Sequence, residues 1–137
     1  MSGPILLDTC AAIWLATGEL EAPMLEILEA AGSSPAGVWV SPITGWEVGL
    51  LVSRGRLALN MPTQSWFERL LRVPGAYLAP MPPEVLIASS ELPGDLHKDP
   101  ADRILAATAR RYGYRLMTRD RPLLSYAAAG HLQAIAC

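Results

Sequence analysis

The chain has 137 residues and a mass of 14.7 kDa, enough for one domain with a sizeable core and too short for two. Apolar residues make up 51% of it and its net charge is −2, which excludes a wholly disordered chain and a nucleic-acid binder that works by positive charge alone. Mean hydropathy is +0.25, yet no apolar run reaches the ~18 residues that a membrane span needs. The opening MSGPILLDTC has no basic stretch and meets an aspartate at position 8, so it does not read as a signal peptide. Cys10 and Cys137 lie at opposite ends of the sequence without metal-ligand spacing, the usage of a reduced, cytoplasmic protein. Ten of the 11 basic residues are Arg, and six of these are Arg103, Arg110, Arg111, Arg115, Arg119 and Arg121. A local arginine rim is therefore compatible with an acidic chain.

In chain order, Pro4–Leu7 is a short apolar run ending at Asp8, as in a buried strand. Thr9–Thr17 reads as a helix stopped by Gly18, and Pro23–Ala31 as a second one followed by Gly32. Val38–Val40 is a strand, which Ser41-Pro42 turns into a helix from Thr44 to about Ser53. Pro62–Arg72 and Pro82–Leu92 are two more helices, with Ala76–Ala79 as a strand between them. Pro100–Tyr112 is the clearest helix, with an apolar side and Gly113 at its end. Tyr114–Thr118 is a strand, Arg121–Ala127 a short helix and Leu132–Ile135 a last strand. Strands alternating with helices predict an α/β fold: a three-layer α/β/α sandwich on a mainly parallel sheet of four or five strands, as a single domain over 1–137. In such folds the site lies beyond the carboxyl ends of the strands.

Four acids fall there: Asp8 after the first strand, Glu47 after the second, Asp102 early in the helix from Pro100, and Asp120 after the strand ending at Thr118. Each has an ordinary explanation. Asp8 is a candidate N-cap, Thr44-x-x-Glu47 fits a capping box, Asp99-Pro100-x-Asp102 fits a capped helix start, and Asp120 fits a turn. Jointly the ordinary readings are weaker, because four carboxylates converging on one crevice either raise a pKa or hold a cation. Hard oxygen ligands without His or Cys suit Mg²⁺ or Mn²⁺ rather than zinc.

The stretches Ile5–Trp14, Val40–Glu47, His97–Ala109 and Leu116–Asp120 resemble the successive motifs of PIN domains, in the right order over nearly the whole chain. Asp8-Thr9 with Trp14, Gly55-Arg56-Leu57, and His97-x-Asp-Pro-x-Asp-Arg103 resemble the VapC-type toxin branch. Ala101 departs from the large apolar residue common in the family. The resemblance implies a Mg²⁺- or Mn²⁺-dependent endoribonuclease with RNA as substrate, a homodimer, neutralised by a VapB-type antitoxin and not bound to a membrane. It assigns Asp8, Glu47, Asp102 and Asp120 as catalytic and metal-binding acids. Asp8 and Asp102 would be direct ligands. Glu47 and Asp120 would act through water, and Thr118 and Thr9 would hydrogen-bond to the acids or to the attacking water.

The remaining residues have roles that their types suggest. Asp99 caps its helix or stands behind the metal, and Arg103, a cation at a helix N-terminus, implies an acid of the cluster or an RNA phosphate as partner. His97 reads as a loop anchor, Cys10 as a small buried residue, and Trp14 and Trp46 as core or interface. An antitoxin segment would lie along an apolar groove beside the first three helices and send an Arg toward the acids. Two rival readings are a catalytically silent PIN-like module binding RNA or protein, and a DNA-directed or phosphatase-like hydrolase on the same fold.

Overall fold

A computed structural model describes residues 3–137. Its elements are β1 (Ile5–Leu7), α1 (Thr9–Thr17), α2 (Ala22–Gly32), β2 (Val38–Val40), α3 (Pro42–Ser53), α4 (Thr63–Leu71), β3 (Ala76–Leu78), α5 (Pro83–Ser90), α6 (Pro100–Tyr112), β4 (Arg115–Thr118), α7 (Arg121–Ala128) and β5 (Gln133–Ala136). Among the described residues the strands form one sheet in the order β3-β2-β1-β4-β5, every pair parallel. The expected α/β architecture is the one observed.

The strand order fixes where a site can form. From β1 the chain winds outward through β2 to β3, then returns past β1 to add β4 and β5 on the other side. The direction of winding reverses between β1 and β4, which opens a crevice beyond their carboxyl ends. Leu7 pairs with Val40 on one side and Met117 on the other, so Asp8 and Thr118 are next to leave the sheet. α1 and α7 both begin at that end.

Alternation along the short strands divides the core. Ile5, Leu7, Val38, Val40 and Met117 face α1, α2 and α4, where Leu28, Trp66 and Leu70 complete one apolar cluster. Leu6 and Leu116 face the other way, packing with Leu105, Ala106, Leu123 and Tyr126 of α6 and α7. On that side Trp39 lies 5.3 Å from Tyr114 and 5.0 Å from Tyr77, ring centre to ring centre. Gly75 permits the close packing of β3 against α2: at φ +83° a Cβ there would come within 2.2 Å of the Gly32 carbonyl oxygen.

Three sequence expectations are corrected. The third helix begins at Pro42 rather than Thr44, because Ser41 Oγ accepts the Ile43 N–H at 3.1 Å and Pro42 occupies the first helical position. Thr44-x-x-Glu47 is therefore no capping box. Cys10 is exposed, not buried. The arginines also divide: Arg110 donates to the His131 carbonyl and Arg115 to that of Gly3. Because α6 runs back across the sheet, Arg110, Arg111 and Arg115 lie at the end opposite the acids.

Candidate active site at the carboxyl ends of the strands

Asp8 leaves β1 and caps α1. Its Oδ1 accepts the Ala11 N–H at 2.7 Å, and its Oδ2 accepts the Thr118 hydroxyl at 2.6 Å. Thr118 closes β4, is fully buried, and its oxygen in turn accepts the Asp120 N–H at 3.0 Å. Asp120 then caps α7 through the Leu123 N–H at 3.0 Å. The same backbone logic serves both acids: a strand delivers a carboxylate to a helix start, where orphan N–H groups hold it.

Glu47 lies in the second turn of α3 and accepts a hydrogen bond from the Thr9 hydroxyl. Thr9 also approaches Thr44, with hydroxyl oxygens 3.3 Å apart. The fully buried Thr44 thus joins α3 to the start of α1, a role hidden behind its resemblance to a cap. Asp99 accepts the Asp102 N–H at 3.0 Å and starts α6.

His97 is the site residue whose position sequence reasoning missed. Its Nε2 stands 2.9 Å from Asp102 Oδ2 and 3.4 Å from Asp120 Oδ2, while its buried Nδ1 has no hydrogen-bond partner among the described residues. The available signal was its place in the loop before Asp99 and Asp102, with the one ring type able to pair with acids. Arg103 is the converse. Its Nε donates to the Ser89 carbonyl at 2.8 Å and its NH1 to that of Leu96 at 3.0 Å. It binds the end of α5 and the following loop to α6 instead of pairing with an acid of the cluster, because peptide carbonyls there point at the guanidinium first.

The acids repel one another. Burial pushes the Asp102 carboxyl up to about 7, aided by Asp99 and Asp120 and opposed by His97. Burial also raises Asp8, against the donors Thr118 and Ala11, and raises Glu47, against Thr9. Such a set suits a hard divalent cation, which would relieve the repulsion and fix the ionised forms. His97, Asp102 and Asp120 each offer a donor atom within 4.8 Å of the others, so an imidazole stands beside the carboxylate oxygens. Asp8, expected as a direct ligand, lies outside that trio; each of its oxygens accepts one hydrogen bond and keeps a further lone pair.

The sequence profile of the PIN domain matches residues 5–129. Ribonuclease VapC22 of Mycobacterium tuberculosis is 32% identical over 127 residues, covering 89% of this chain and 91% of that protein. Among solved structures, a chain of VapBC2 from Rickettsia felis bound to a promoter DNA fragment superposes with a TM-score of 0.72 at 15% identity, covering 97% of this chain and 98% of its own. A chain of a toxin-antitoxin complex from Klebsiella pneumoniae gives 0.62 at 20% identity, with 96% and 95% covered. With the profile spanning nearly every element and the acids gathered where β1 and β4 diverge, the chain belongs to the PIN domain family.

Proposed function

We propose that this protein is a metal-dependent endoribonuclease, the toxin of a toxin–antitoxin pair, hydrolysing RNA phosphodiester bonds with Mg²⁺ or Mn²⁺. The observation that carries the reading is the convergence of Asp8, Glu47, Asp102 and Asp120 on one crevice, with Thr9 and Thr118 donating to two of them. The likeness to a VapC ribonuclease supports it. When bound, the cation would supply Lewis-acid stabilisation of the phosphate and a more acidic water.

The chain's own groups would do the rest. Asp102 and Asp120, with His97 beside both, would hold the cation. Thr118 keeps Asp8 turned into the crevice and ionised. Glu47, raised by burial and held by Thr9 through Oε1, accepts the proton of the attacking water at its other oxygen. Unpaired RNA is the suitable substrate, since its backbone can enter an open crevice.

The partner is a VapB-type antitoxin, as in the toxin–antitoxin complexes that share the fold. An apolar cavity of about 520 Å³ between α1, α2, β2 and α4 supports such docking; Leu15, Leu25, Leu28, Val38, Leu70 and Val73 line it. Trp46, 53% exposed beside Glu47, supports a homodimer, and a monomer mass by light scattering at micromolar concentration would remove it. No helix among the described residues is long and apolar enough to cross a membrane.

Incubating the purified chain with structured RNA, single-stranded DNA and a phosphomonoester, each with Mg²⁺ or EDTA, tests the proposal. RNA cleavage with Mg²⁺ alone is the expected result. Binding without cleavage would make it a silent module, and turnover of the other substrates a different hydrolase.

A further inference from the structure

We propose that Arg119, held over the Trp14 ring, is the subsite that grips an RNA backbone phosphate next to the one addressed by the acids. This rests on the nuclease reading above and adds a substrate-binding element to it. Arg119 lies between Thr118 and Asp120, at the mouth of the crevice, and is exposed. Its guanidinium carbon stands 3.8 Å from the centroid of the Trp14 ring on α1.

Two features separate this arginine from the others. Arg103, Arg110 and Arg115 direct their guanidinium groups at backbone carbonyls. Arg119 makes no hydrogen bond or ion pair with any described residue, so its N–H fork is available. Arg121 and Lys98 are also exposed near the acids, but no ring holds either of them in place.

The stack explains why Arg119 does not collapse onto the carboxylates beside it. It lies within electrostatic reach of Asp8, whose carboxyl it helps to lower. A freely moving guanidinium there would pair with the acids and compete with the cation. The Trp14 face supplies an alternative through cation–π attraction and leaves the N–H donors without a protein partner among the described residues. The guanidinium fork presents parallel N–H donors in the spacing of two phosphate oxygens. RNA approaching a cluster of carboxylates is repelled, and one fixed cation at the rim offsets part of that repulsion. Trp14 is thus a positioning residue, acting through Arg119.

The test measures cleavage of a fluorescein-labelled single-stranded RNA oligonucleotide by the full chain with Mn²⁺, resolving kcat from KM over a range of KCl. Arg119→Ala should raise KM about tenfold, as for a lost charge-assisted hydrogen bond, with kcat nearly unchanged. It should also flatten the plot of log(kcat/KM) against log[salt] by about 0.7, the share of one phosphate contact on a single strand. Arg119→Lys should fall between, since it keeps the charge and loses the fork. Trp14→Leu should raise KM less than Arg119→Ala, and Trp14→Phe should restore most of the loss. Arg111→Ala, at the opposite end of the sheet, should leave KM and slope as they are. Unchanged KM and slope in Arg119→Ala, or a fall in kcat alone, would overturn the subsite while leaving the nuclease intact. A wild-type chain that cleaves no RNA would overturn both.

Discussion

The hydroxyl of Thr118 donates to Asp8 Oδ2 at 2.6 Å across the boundary between β4 and β1, the two strands at which the winding reverses. Both residues are buried, so the bond fixes the carboxylate in one orientation and favours its ionised form against the burial that opposes it. Thr118→Val keeps the shape and removes the donor. Cleavage should fall 10- to 100-fold, the scale found when partners behind metal ligands are lost. Thr118→Ser should retain most activity. Equal rates for Val and wild type would show that Asp8 needs no such support.

Asp102 makes the metal-free protein sensitive to pH. With its carboxyl raised from 3.8 to about 7, the folded state keeps a proton that the unfolded chain has released. Stability from this group is complete below pH ~4 and is lost as pH rises toward 7. Asp102→Asn should abolish cleavage, melt like wild type below about pH 4 and melt a few degrees higher at pH 8. Thermal melts in EDTA check this, and a variant melting lower at pH 8 would contradict it.

Metal should reverse that trend. A cation binds only the ionised carboxylate, so loading Mn²⁺ at pH 6 should release more protons than loading it at pH 8. Calorimetry in buffers of different ionisation enthalpy measures the difference. At a metal concentration of 100 times Kd the gain in stability is about 2.7 kcal/mol. The absence of any melting shift at millimolar Mn²⁺ or Mg²⁺ would count against a preformed site.

The architecture and the acids were legible because period and punctuation agree: short apolar strands end at acids, and Gly18 and Gly113 stop their helices in the left-handed conformation. What escaped depends on partners distant in sequence. Thr44 looked like a cap until its neighbour proved to be Thr9, 35 residues away. Arg103 looked misplaced beside a helix start until the carbonyls of Ser89 and Leu96 met it. His97 looked like a loop anchor, and its pairing with Asp120 requires the β4–α7 turn to come alongside the α6 start. Of the arginine rim, Arg119 and Arg121 lie near the acids, while Arg110, Arg111 and Arg115 do not, because counting along the sequence does not tell the two ends of a sheet apart.

Two glycines with the same backbone sign should respond differently. At Gly75 a new Cβ would strike the Gly32 backbone at 2.2 Å, whereas at Gly18, with φ +77°, it would meet nothing within 4 Å. Gly18→Ala should cost about 1 kcal/mol, the left-handed penalty alone. Gly75→Ala should cost about 3 kcal/mol, because strain and overpacking add. Urea unfolding of both variants measures the gap, and equal costs would mean that β3 can move away from α2.

The last prediction concerns inhibition. The cavity between α1, α2, β2 and α4 is apolar, and Leu25 at its edge is 40% exposed, so an antitoxin helix could bury leucine or aromatic anchors there. Leu25→Asp would introduce a charge at that edge without touching an acid of the site. It should weaken antitoxin binding at least tenfold while leaving RNA cleavage as it was, which separates docking from catalysis. Beyond the cavity, an antitoxin arginine reaching Asp102 and Asp120 would satisfy both carboxylates and compete with the cation. A complex inhibited in this way should take up Mn²⁺ more weakly than the free toxin, and excess Mn²⁺ should loosen the arginine without releasing the anchored helix. If the antitoxin acts only by covering the crevice, the complex will bind Mn²⁺ as the free toxin does, and a titration of both decides between the two.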